Sequence, residues 1–457
     1  MTNKMIDFVL YAQAAFFFAT IASFFLSRAA SIFHPLTFYL AFHGLVFVIR
    51  PLLIYYAGFE NAFLYMGFHP TDDQFVFTLV VSSVALLVFA VVSIAYGGGA
   101  VAGHLPSRPS FSKEDINAFA IVAAAILPVA FYSAVASLAM FQFEAGPNQF
   151  VELDVNTGVA HFTNGSGYAY EAQSSIGAIV VAFFWLCGLR WWSIVPILIF
   201  MGWRAYFGIA RWPMIIMGLV IMLLTAFCGG KKWPYMRHLL AAVPLLLLFH
   251  LVGQDRSWLR AVMGEDVQQE TPATNADFLQ TLDGPDFANF DYLAYVLAMV
   301  PDKTQSFTYF TQYLQLLTEP IPRALWSGKP LGSPVVLVNL VQFGNFIGLT
   351  TSLPGDGWMS FGWVGLVVTM GVVAFVLARL HSWFCRHQSD PYTVLIYCLF
   401  LPLTIQWFRD GGISIAKFAL FTVGPVILWR ALARYLTSLK NRGRARVRSV
   451  ALPPQLD

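Results

Sequence analysis

Charged residues are scarce in this chain of 457 residues. Asp, Glu, Lys and Arg make up 11% of it, where a soluble domain carries about 25%. With 58% hydrophobic residues and a mean hydropathy of +0.66, that deficit excludes an ordinary soluble fold and places the chain in a bilayer. Cysteine is equally sparse. Cys187, Cys228, Cys385 and Cys398 form no CxxC pair and suggest no disulfide framework. No histidine cluster has metal-ligand spacing, so no metal is expected. Walker and GxGxxG motifs are missing, which leaves coupling through a bound nucleotide without support, and no cofactor is implied. No internal repeat is visible, which weakens a secondary-transporter reading, since many such folds are built from repeated halves.

What the chain does have is long apolar runs. A helix crossing the hydrocarbon core needs about 20 mostly apolar residues. On that criterion about eleven spans are expected, near 6–26, 36–57, 75–97, 115–139, 174–189, 191–207, 212–228, 238–254, 357–379, 391–408 and 413–435. The closely spaced fifth to seventh have the softest boundaries. Open sheet edges cannot face lipid, so the fold class expected is an all-α polytopic membrane protein, one integral domain over residues 1–457. Short loops rich in Lys and Arg stay in the cytoplasm. The tail 436–457 carries Lys440, Arg442, Arg444, Arg446 and Arg448 and sets the inside. Counting back, the loops with Arg379 and Arg386, with Lys231, Lys232 and Arg237, with Arg190, and with Arg108 and Lys113 also fall inside. Nucleic-acid binding is a poor reading of this basic flank, which any such chain carries next to anionic headgroups.

One long polar interruption, 255–356, then falls outside. Charged groups within a membrane are costly and usually face a cavity or a partner. Arg50 lies inside the second span. Arg204 and Arg211 bracket a short outer turn, Arg256 and Arg260 come after the eighth span, Arg323 and Lys329 share the loop segment IPRALWSGKP, and Arg409 sits beside Asp410. Ordinary anchoring arginines that snorkel to headgroups are the bland reading. The sharper one is a phosphate site, because guanidinium forks bind phosphate oxygens bidentately and positive charge is otherwise depleted from short outer loops. Trp326 and Trp358 are either belt residues or faces on which sugar rings stack. Asp356, in PGDGWMSFGW, is either a general base for transfer to a hydroxyl or a helix N-cap. For Asp410 a local ion pair with Arg409 is expected. Asp72 and Asp73 look like a cap before the third span.

The stretches FDYLAYVLAMVPDK (290–303), IPRALWSGKP (321–330) and PGDGWMSFGWVGLV (354–367) resemble the Wzy-type polymerases of bacterial surface polysaccharides, the O-antigen or repeat-unit polymerases. The residues that carry the likeness are Phe290 and Asp291; Ile321, Pro322, Arg323, Trp326, Lys329 and Pro330; and Asp356, Trp358, Phe361, Gly362 and Gly365. Two positions depart from the family habit: Asp356 stands where Glu is commoner, and Trp358 where Tyr is.

The resemblance implies an inverting glycosyltransferase at the outer face of the bacterial inner membrane. It would move a growing undecaprenyl-diphosphate-linked glycan onto a new lipid-linked repeat unit. A flippase would supply units, and a chain-length regulator would set product size. Arg323 and Asp356 would be catalytic. Arg50, Arg204, Arg211, Arg256, Arg260, Trp326, Lys329, Trp358 and Arg409 would hold substrate. An O-antigen ligase uses the same donor but carries a functional His in its large outer loop, and no His occurs between 255 and 356. A polysaccharide or lipid transporter would place its charges near the midplane instead.

Overall fold

The computed structural model describes residues 2–101, 109–141, 151–153, 160–162, 171–206, 212–236, 240, 283–284, 287–318, 321, 325–326, 334–344 and 350–451. Twelve helices of eight residues or more organise them: α1 (Thr2–Leu26), α2 (Pro35–Ala57), α3 (Asp72–Tyr96), α4 (Lys113–Phe141), α5 (Ser174–Leu186), α6 (Val195–Tyr206), α7 (Trp212–Cys228), α8 (Asn289–Met299), α9 (Thr311–Thr318), α10 (Ser352–His387), α11 (Pro391–Asp410) and α12 (Gly412–Ala451). Seven of these (α1 to α4 and α10 to α12) contain runs long and apolar enough to cross a membrane, and α5 and α7 are shorter apolar helices. The chain is a multi-pass membrane protein of helical build. The expected span 238–254 lies outside the described residues.

The expectation of no sheet needs a small correction. Val151–Leu153 and Ala160–Phe162 pair antiparallel, Glu152 opposite His161. The segment is polar in sequence, and a hairpin with open edges is compatible with water though not with lipid.

Local chemistry sets the helix starts. Thr71, not the aspartates after it, caps α3: its hydroxyl accepts from the Gln74 N–H, and the Gln74 side chain accepts from the Thr71 N–H. Asp72 and Asp73 fill the first turn, where negative charge suits the helix dipole. Asp390 caps α11 through the Tyr392 N–H ahead of Pro391. In α2 the backbone runs as a π-helix over Gly44–Ile49. One inserted residue rotates the remainder of the helix by about 100°. Arg50 comes directly after it and is buried.

Two features go beyond the expected picture of a long periplasmic loop that carries short helices and leads into a ninth span. First, α8 lies within the 255–356 interruption yet packs into the bundle against α3 and α10, with Phe290, Asp291, Leu293, Ala294, Tyr295 and Val296 fully buried. Second, α10 is not one rod. Its backbone leaves the helical region at Phe361 and Gly362, and Gly362 takes φ 55°, a conformation that favours glycine. The chain doubles back there. A Cβ on Gly365 would lie 2.2 Å from the Gly357 carbonyl oxygen, and one on Gly357 would lie 2.9 Å from the Leu366 Cα. Small residues let the two legs touch backbone to backbone. The turn leaves carbonyls without helical partners, and a neighbouring loop supplies them: the Thr308 N–H donates to Met359 O, and the Tyr309 N–H to Ser360 O.

At the opposite end of the bundle, Asp115 ties three elements together. It accepts from the Tyr392 hydroxyl, and its carbonyl accepts from the Trp429 indole N–H. Lys440 pairs with Glu114 nearby, and Arg430 with Asp390.

Candidate functional site at one end of the bundle

Arg50 is 1% exposed, and its guanidinium meets Asp291 as a fork. Nε donates to Oδ2 at 3.0 Å and Nη2 to Oδ1 at 2.9 Å. Nη2 also reaches Asp283 Oδ1 at 3.0 Å. Two buried charges are tolerable only with such geometry. The pair fastens α8 to α2 across 241 residues of sequence. The cluster of outer arginines makes Arg50 a candidate phosphate ligand by sequence; in the fold its guanidinium meets two carboxylates of the protein and ties α8 to α2.

Asp356, by sequence either a general base or a helix N-cap, is enclosed as well. It is 1% exposed and sits within the short first leg of α10, not at its start. It accepts from the Thr351 hydroxyl at Oδ1 (2.7 Å) and from the Gly412 N–H at Oδ2 (2.8 Å). It is therefore a cap, but of α12, whose first residue is Gly412. Gly411, at φ 83°, lies so close that a Cβ there would stand 2.2 Å from Oδ2. A carboxylate enclosed like this is poorly placed to reach an acceptor hydroxyl. Around it, burial pushes the Tyr292 and Tyr313 phenols above their ordinary range, with the Asp356 charge adding to the effect, so both stay protonated. Asn289 completes the junction. Its amide donates to Thr350 O, Thr350 Oγ1 and Arg409 O at 2.9–3.1 Å. Trp358 fixes the same leg by donating its indole N–H to Val300 O at 2.8 Å.

From Arg409 the contacts continue to a cavity. The Arg409 guanidinium lies 5.1 Å from the centre of the Trp212 ring and 3.5 Å from Asp410, the ion pair expected from sequence. Trp212 lines a space of about 220 Å³ between α5, α6, α7, α11 and α12. Glu171, Gln173, Arg204 and Gln406 come from helix ends on one side, with Ser174 beside them and Thr422 further along α12. The wall along α7 from Pro213 to Val220 is apolar and runs for roughly 10 Å at 1.5 Å per residue. Arg204, 3% exposed, donates to Gln173 Oε1 at 3.3 Å and rests over Phe200. The result is an amphipathic slot with a cation at its polar end.

Of the residues expected from sequence, the structure gathers Arg50, Asp356, Trp358 and Arg409 around α8, and Arg204 lines the same cavity as Trp212, on which Arg409 rests. Trp326 is exposed, and among the described residues no contact joins it to this junction. Arg211, Arg256, Arg260, Arg323 and Lys329 lie outside the described residues. Sequence reasoning does not single out Glu171 or Gln173, which sit in no motif; proximity to Arg204 is visible only in the fold. It has Asp291 in hand without its partner. Among the described residues no group of three His, Cys, Asp or Glu could hold a metal ion. Compared with known protein families, curated proteins and solved structures, the chain matches none.

Proposed function

We propose that the protein is a polysaccharide repeat-unit polymerase of the Wzy type, an inverting glycosyltransferase at the outer face of a bacterial inner membrane. It moves a growing glycan from undecaprenyl diphosphate onto a new lipid-linked repeat unit. In this reading the chain crosses the membrane eleven times with its basic tail in the cytoplasm. Its partners are the two lipid-linked substrates, a flippase that delivers units and a chain-length regulator.

The observation that carries the reading is the slot at Arg204. A polyprenyl diphosphate is a dianionic or trianionic head on an apolar chain. The slot offers a buried guanidinium and amide groups at one end and about 10 Å of apolar wall beyond. Arg409, which rests against Trp212 without lining the slot, places a second cation nearby, where it would favour the charge that grows on the leaving diphosphate. Asp356 and Arg50 then serve to hold α8, α10 and α12 in place around the site. Arg323 remains a candidate through the family resemblance alone.

The test is the glycan profile of a deletion strain. Single repeat units left on lipid are the expected result. Long chains that accumulate without being attached would point to a ligase, and an unchanged profile would remove the assignment.

A further inference from the structure

A buried amide without a partner is costly, so one kept on a cavity wall points to something that enters the cavity. Gln406 is such a group. It is 7% exposed and lines the slot, and it makes no hydrogen bond among the described residues. Gln173 on the same wall differs, since it accepts from Arg204. The wall's hydroxyls, Ser174 and Thr422, make smaller demands, because a short side chain can turn to a carbonyl of its own chain.

The place of Gln406 on α11 says what it meets. Leu399, Leu403 and Gln406 stand at i, i+4 and i+7, on one face of the helix, and all three line the slot. Deeper in the bundle than Gln406, that face is apolar. One turn toward the helix end, about 4.5 Å along the axis, comes Arg409, whose guanidinium rests on Trp212. Gln406 therefore stands at the boundary between the cationic end of the slot and its apolar wall. The head of an amphipathic ligand meets its chain at such a boundary.

We propose that Gln406 is a ligand contact of the slot, its amide N–H groups donating to phosphate oxygens where the diphosphate joins the prenyl chain. The inference rests on the cavity being the lipid diphosphate site. An amide suits this place because it donates to an anion yet carries no charge. The empty slot then holds no further buried ion beside its apolar wall. The cost is that the empty slot is less stable than one with leucine at this position.

The experiment uses full-length protein in nanodiscs. Wild type, Gln406→Leu and Gln406→Glu are compared for melting without added lipid and for binding of undecaprenyl diphosphate. Leu is similar in size and has no polar group. Gln406→Leu is expected to melt no lower than wild type, since it removes an unpartnered buried amide, and to bind the lipid about 10- to 150-fold more weakly. Gln406→Glu, which keeps the shape but sets a negative charge against the phosphate, is expected to bind more weakly still. Inorganic diphosphate serves as the chainless probe, and its binding to wild type is expected to be weaker than that of the lipid. If Gln406→Leu or Gln406→Glu binds the lipid as wild type does, the proposal is overturned while the assignment of the cavity stands. If Gln406→Leu melts well below wild type, the amide is structural and the proposal is again overturned. Equal binding of inorganic diphosphate and lipid would overturn the placement at the boundary of head and chain. If wild-type protein itself fails to bind the lipid, the reading of the cavity falls and the proposal with it.

Discussion

Replacing Asp356 by Asn separates a helix tie from a catalytic base. The carboxylate holds two donors, the Thr351 hydroxyl at 2.7 Å and the Gly412 N–H at 2.8 Å, in a site 1% exposed. An Asn amide keeps an acceptor for Gly412 and can donate to the threonine oxygen. What is lost is charge assistance. Hydrogen bonds to charged groups contribute about 1.5–3 kcal/mol and neutral ones about 0.5–1.5, a loss of about 1–1.5 kcal/mol for each of the two bonds, which relief of the buried charge partly offsets. Asp356→Ala removes both acceptors and strands a buried N–H, which adds about 1–3 kcal/mol for that group and more for the void. Asp356→Glu forces a methylene against Gly411 and costs about 1–3 kcal/mol. Thermal melting of the purified protein, together with glycan chain length in the complemented deletion strain, reads both quantities. Asp356→Asn is expected to melt slightly lower and to make chains of near-normal length, whereas Asp356→Ala loses abundance and chains together. The reasoning is refuted if Asp356→Asn melts like wild type yet polymerises about a hundredfold or more slower, since that is the signature of a missing base.

Three further outcomes are expected from the geometry. Gly365→Ala places a Cβ 2.2 Å from the Gly357 carbonyl and should lower the melting temperature or abolish accumulation; a variant as stable as wild type would mean the two legs of α10 do not touch. Arg50→Ala leaves Asp291 charged and buried alone, which costs about 3–5 kcal/mol, while Arg50→Leu combined with Asp291→Leu recovers much of it; equal loss in the double variant would show that the pair does not act as a unit. A cysteine placed at Gln268 should react with an impermeant maleimide in intact cells, and labelling near Arg108 instead would invert the orientation.

Much of the helical framework is legible in the sequence because long apolar runs have few alternatives. α1 to α4 and α11 fall within a few residues of the expected spans. α5 and α7 match too, though they are short. The site is legible only in part, for a physical reason. Which charges lie on one end is set by where helices stop, and so Arg50, Arg204 and Arg409 stand out. What each charge touches depends on packing between segments far apart in sequence. Arg50 meets Asp291, and Asp356 caps a helix that begins 56 residues later. A local rule for N-caps searches the same helix and misses that arrangement. The motif around Asp356 does contain its own clue. Gly357, Gly362 and Gly365 are spaced for a reversal with close backbone contact, and a straight ninth span would not need them.

The central claim is that the slot beside Arg204 holds a lipid diphosphate. It is tested most directly by measuring undecaprenyl diphosphate binding to wild type, Arg204→Ala and Arg204→Lys, each first shown to be monodisperse. A charged hydrogen bond to a phosphate contributes about 1.5–3 kcal/mol, which is roughly a 10- to 150-fold change in affinity. The account predicts a loss of that size for Arg204→Ala and an intermediate loss for Arg204→Lys, whose point charge cannot reproduce the fork. Unchanged affinity in a well-folded Arg204→Ala protein would contradict it.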